Sequence, residues 1–102
     1  MRYIDLRTIG PNAFQVWACR DGTDTVLMVN RDTGKIDFNH RAVGLRVKKG
    51  YHPPTDTPGS FTRSEAISLA HRIGRYFFNR GDLVYTYTYV DGLKNNDFFE
   101  ER

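Results

Sequence analysis

TRSEAISLAHRIGRYFFNRG, residues 62–81, is the stretch on which the fold turns. Thr62-Arg63-Ser64-Glu65 has capping-box spacing: the Thr62 hydroxyl can accept from the Glu65 amide, and the Glu65 carboxylate can reach back. At about 100° per residue, Ala66, Ile67, Leu69, Ala70, Ile73, Gly74, Tyr76, Phe77 and Phe78 span roughly 200° of a helix surface. Ser64, Ser68, His71, Arg72, Arg75 and Asn79 fill the remaining arc. Gly81, after Asn79-Arg80, suits the left-handed position past a helix end. The pattern predicts one amphipathic helix over 63–79. Its apolar arc is wider than one sheet face covers, so a second cover is expected, either the C-terminal tail or another copy of the chain.

Everything before this helix reads as short strands punctuated by turn residues. Residues 2–9 alternate, with Ile4 and Leu6 on one face, until Gly10-Pro11-Asn12. Residues 13–20 place Phe14, Val16 and Ala18 on one face and Trp17 on the other. Residues 25–30 form a more buried strand through Val26, Leu27, Met28 and Val29. Arg31-Asp32-Thr33-Gly34 makes a hairpin loop, since Gly34 can take positive φ. Ile36 and Phe38 share a face of 35–39, and Val43, Leu45 and Val47 alternate with Gly44, Arg46 and Lys48. Residues 50–61 hold Pro53, Pro54, Pro58 and Gly59 and read as a stiff loop that could stand out as an exposed arm. After the helix, residues 83–90 form a late strand. The expected fold class is α+β: an antiparallel β-meander of about five strands with one wet face, one amphipathic helix packed on it, and a late additional strand, all in a single domain over 1–102.

Composition supports a folded chain. Of 102 residues, 39% are hydrophobic and 14% aromatic, so the core should be rich in rings. Cys19 is the only cysteine, which rules out an internal disulfide or a thiolate metal cluster within one chain. No apolar signal run follows Met1-Arg2-Tyr3-Ile4-Asp5, and no long apolar stretch occurs. The expectation is a cytoplasmic protein that does not enter a membrane.

Charge is unevenly placed. Residues 1–37 hold five basic and five acidic side chains, 38–81 hold eight and two, and 82–102 hold two and five. The segments therefore carry 0, +6 and −3 within a total of +3. Arg41, Arg46, Lys48 and Lys49 fall in the acid-free stretch 38–55; on a strand, Arg46 and Lys48 share a face. Arg72 and Arg75 lie one turn apart on the helix, with Arg80 just beyond. These cations could contact phosphates; equally, they could be a solvated strand face and ordinary cations near a helix C-terminus. Tyr51-His52, at the start of the proline loop, could touch the same partner or simply anchor the loop.

A second set of residues is aromatic. Tyr85, Tyr87 and Tyr89 would sit about 6.6 Å apart along one strand face. Such a row can pack in a core, form the seam of a homodimer, or stack unpaired bases. Phe98 and Phe99 lie in an acidic-aromatic tail, 93–102, whose carboxylates could face the basic middle while the rings cover the helix.

Signatures of chemistry are absent. His40, His52 and His71 have no metal-ligand spacing and read as surface or turn residues. There is no glycine-rich phosphate loop, no Gly-x-Ser-x-Gly and no paired-cysteine motif. No catalytic residue, metal site or cofactor is expected, although a Ser-His pair assembled from the turns would leave no mark in sequence order. Gly59-Ser60-Phe61-Thr62-Arg63-Ser64-Glu65-Ala66 resembles the strand-to-helix junction of βββα modules, including AP2-type DNA-binding domains. The resemblance covers about a tenth of the chain, and no binding residue is carried over from it.

The expected function is non-catalytic: a basic surface engaging nucleic acid, a nucleoprotein complex or an acidic protein surface. The alternative is a small phage-type inhibitor or adaptor, anti-defence or anti-CRISPR-like, that acts by protein-protein contact, with a homodimer as one option.

Overall fold

Alternation of large apolar and polar residues makes strands of six segments of this chain, because period two gives each strand one face to bury. The computed structural model describes residues 2–19, 22–38, 41–77 and 83–89. In chain order these form β1 (Arg2–Gly10), β2 (Ala13–Cys19), β3 (Asp24–Val29), β4 (Lys35–Phe38), β5 (Arg41–Arg46), α1 (Arg63–Phe77) and β6 (Leu83–Tyr89). The sheet order is β5-β4-β3-β2-β1-β6. The first five strands are an antiparallel meander, as the alternation predicts. The sixth pairs with β1 in parallel. A parallel neighbour needs a crossover; the chain from β5 to β6 supplies it, running from one sheet edge to the other with α1 packed over β1 and β2.

The core lies between α1 and one sheet face. Ile4 and Leu6 of β1, Phe14, Val16 and Ala18 of β2, Leu27 and Ile36 meet Ala66, Leu69, Ala70 and Ile73 of the helix. Each large aliphatic side chain buried here contributes about 1.5–3 kcal/mol. On β3 only Leu27 is fully buried; Val26, Met28 and Val29 are half-buried, so this strand is less enclosed than its apolar run suggests. His71 is a correction to the expected polar arc: it is 2% exposed. It follows Ile67 by four residues, on the same helical row, and so falls within the packed side.

The opposite sheet face is a polar lattice. Asp5, 5% exposed, pairs with Arg7 at 3.1 Å, and Arg7 also reaches Asp24 at 3.5 Å. The Arg7 guanidinium lies 4.0 Å from the Trp17 ring centroid, a cation–π contact. Trp17 Nε1 donates to Gln15 Oε1 at 3.0 Å, and Tyr3 donates to Asp24. These contacts bind β1, β2 and β3 together and occupy the charge of Arg7.

The proline loop ends inside the fold and not as a free-standing arm. β3 pairs with β2 only from Trp17 to Cys19. Where β3 leaves, Phe61 pairs with Phe14 through two backbone bonds of 2.8 Å. Gln15 Nε2 donates to the Pro58 carbonyl at 3.1 Å. Gly59 lies so near β3 that a Cβ on it would stand 2.4 Å from the Leu27 carbonyl. Residues 58–61 thus plug a split between two neighbouring strands, while Pro54, Asp56 and Thr57 remain exposed.

Candidate nucleic-acid interface

The basic segment is placed by the turn between β3 and β4. Asn30 Oδ1 accepts from the Asp32 and Thr33 amides at 2.9 and 3.1 Å, and Gly34 adopts φ 71°. That conformation lets the Val47 amide donate to the Gly34 carbonyl at 2.8 Å, and the Gly50 amide to the Arg31 carbonyl at 2.8 Å. Leu45 and Val47 pack against the core, so the intervening Arg46 and the following Lys48 and Lys49 are exposed.

The helix then brings its own cation to this strand. Arg72 Nη1 and Nη2 donate to the Arg46 carbonyl at 3.3 and 3.4 Å. These bonds are long, so they fix position more than they add energy. Val47, Lys48, Ser64, Glu65, Ser68, Leu69 and Arg72 line an open groove of about 310 Å³ between the helix and the segment after β5. Glu65, the groove's carboxylate, is engaged locally: its Oε1 accepts from the Thr62 amide at 3.1 Å and the Thr62 hydroxyl at 2.6 Å. Among the described residues, no carboxylate forms an ion pair with Arg46, Lys48, Lys49 or Arg72.

One cation escaped the sequence reading. Lys35 is the Cα partner of Arg46 across β4 and β5. Both are exposed, and like charges directly opposite one another are unfavourable. A register shift between Lys35 and Asp37 creates this pairing, and alternation alone gives no sign of it.

The other expected residues divide. Arg75 is exposed on α1, one turn beyond Arg72, and His52 is exposed at the head of the proline loop. Tyr51 turns inward: its ring stacks on Phe61 with centroids 5.8 Å apart, and its hydroxyl donates to the Ser60 carbonyl at 2.7 Å. Burial, then the nearby Glu65 charge, raises its pKa above the ordinary tyrosine value. Arg41 lies on β5, the outer strand of the sheet, but its side chain is outside the described set. Arg80, Phe98 and Phe99 lie outside the described residues, as do the helix end expected at 78–79 and the tail 93–102.

The tyrosine row is on β6, where the register sets Tyr85 beside Ile4, Tyr87 beside Leu6 and Tyr89 beside Thr8. The tyrosine side chains themselves are outside the described set. Among the described residues, no helix is long and apolar enough to cross a membrane. Comparison with protein families, with curated proteins and with solved structures finds no match to this chain.

Proposed function

We propose that this protein is a non-catalytic binder of nucleic acid, presenting the β5 edge and the adjoining face of α1 to the phosphate backbone. The observation that supports this reading is the Arg72 guanidinium resting on the Arg46 carbonyl, which brings a helix cation to the basic strand and into one groove with Lys48. Lys35 beside Arg46 adds to it: an anion between two opposed cations relieves their repulsion. Phosphate oxygens are suited to this, since guanidinium and ammonium groups form charge-assisted hydrogen bonds with them.

The test is charge reversal at Arg46 and Lys48, both exposed and away from the core. Arg46→Glu/Lys48→Glu should fold as the parent does and lose at least about tenfold in affinity for a single-stranded oligonucleotide at low salt. Unchanged affinity in the reversed protein refutes the proposal.

A further inference from the structure

We propose that the cleft between the β3–β4 turn and the proline loop receives a single unstacked guanine base from the strand held along the basic edge; the inference rests on the nucleic-acid reading above. The cleft measures about 230 Å³. That is below the roughly 300–1,000 Å³ of sites for drug-sized ligands, and suits one ring system. Met28, Tyr51, Pro53 and Pro58 supply apolar wall, the kind of surface on which a base face packs.

The polar members decide which base. Arg31 and Asp56 both line the cleft, both are exposed, and neither is held by another described side chain. A guanidinium donates to a carbonyl oxygen. A carboxylate offers two acceptor oxygens, which match two adjacent N–H donors. The Watson–Crick edge of guanine carries a carbonyl beside two such donors; adenine, cytosine and uracil each offer fewer. Ser60 also lines the cleft, and its buried Oγ has no hydrogen-bond partner among the described residues.

The pocket is preformed and close to the cations. Pro53, Pro54 and Pro58 stiffen one wall, and Gly59 seats it against Leu27. The Gly50 amide bonded to the Arg31 carbonyl ties the cleft to the chain directly after Lys48 and Lys49. Tyr51 divides the cleft from the groove, and its hydroxyl lies 3.4 Å from Glu65 on the groove side.

The experiment compares a short oligouridine with the same oligomer carrying one central guanosine, by fluorescence anisotropy. Guanosine alone is also added while backbone amides are followed by NMR. The guanosine oligomer should bind about tenfold tighter. Asp56→Asn should erase that preference and leave oligouridine affinity intact. Guanosine should shift Met28, Tyr51 and Ser60 amides more than adenosine does. Equal, salt-sensitive affinity for both oligomers overturns the pocket and leaves the basic edge standing. Guanosine-specific shifts without oligonucleotide binding uphold the pocket and overturn the basic edge. Equal shifts with adenosine overturn the choice of base.

Discussion

Two tyrosines carry consequences for alkaline behaviour. The hydrogen bond from Tyr3 to Asp24, reinforced by burial, raises the Tyr3 pKa from 10.0 to about 12. Tyr51 is raised as well, through burial and the Glu65 charge. A raised folded-state pKa favours the protonated phenol in the native protein. The stability it contributes is therefore fully present below pH 10.0 and is lost as pH climbs through about 12 for Tyr3. Phenolate absorbance should show components that titrate after free tyrosine, and Tyr51→Phe should remove one of them. A titration in which Tyr51→Phe changes nothing would contradict the inward placement of that hydroxyl. Tyr51 also shows where sequence runs short. Its position beside a basic strand allows an outward contact beside the favoured loop anchor, and only Ser60 and Phe61 folding back beneath it select the anchor.

The plug between β2 and β3 and the start of α1 are the elements most open to test. Gly59 has φ 74°, and its missing Cβ leaves space for the Leu27 carbonyl. Gly59→Ala should cost about 1–3 kcal/mol from backbone strain, with the contact at 2.4 Å adding to it. A lowered urea midpoint at unchanged m-value is the expected readout. At the helix start, Thr62→Ala should cost about 1 kcal/mol. Glu65→Ala should cost more, because its carboxylate accepts from both the amide and the hydroxyl of Thr62. Thermal denaturation of the two variants would rank them, and the reverse order would mean that the carboxylate does not carry the cap. The strands and the helix start were legible in sequence because period two and the capping box are local signals, although the fifth strand runs Arg41–Arg46 and stops short of Val47 and Lys48. The plug was not, because residues 58–61 look like any proline-rich loop until Phe14 and Gln15 are seen to lack a β3 partner. His71 was misread for a related reason: helix periodicity places a residue on an arc, but what packs on that arc comes from elsewhere in the chain.

At the scale of the whole molecule, the question is whether scattered cations act together. Arg72 reaches the Arg46 carbonyl and lines one groove with Lys48, and Lys35 is paired opposite Arg46, whereas Arg7 is consumed by Asp5, Asp24 and Trp17 on the far face. If about four phosphates are neutralised, the logarithm of affinity should fall with the logarithm of salt at a slope of about −3 for single strands. Removing two contacts through Arg46→Glu/Lys48→Glu should flatten that slope by about 1.4. A salt-independent association would point away from phosphates altogether. The segmental charge in the sequence marks 38–81 as the basic stretch. The turn at Gly34 is legible locally, but the register shift in β4 and the reach of Arg72 to the Arg46 carbonyl are not.

The parallel partnership of β6 with β1 has a consequence during synthesis. Translation makes β1 first, yet its outer edge gains a neighbour only when Leu83 and the residues after it have left the ribosome. Until then a nascent chain exposes the backbone amides and carbonyls of an open strand, and the meander can form while its N-terminal border stays unsealed. Assembly of this sheet is thus completed when its last strand pairs back onto its first.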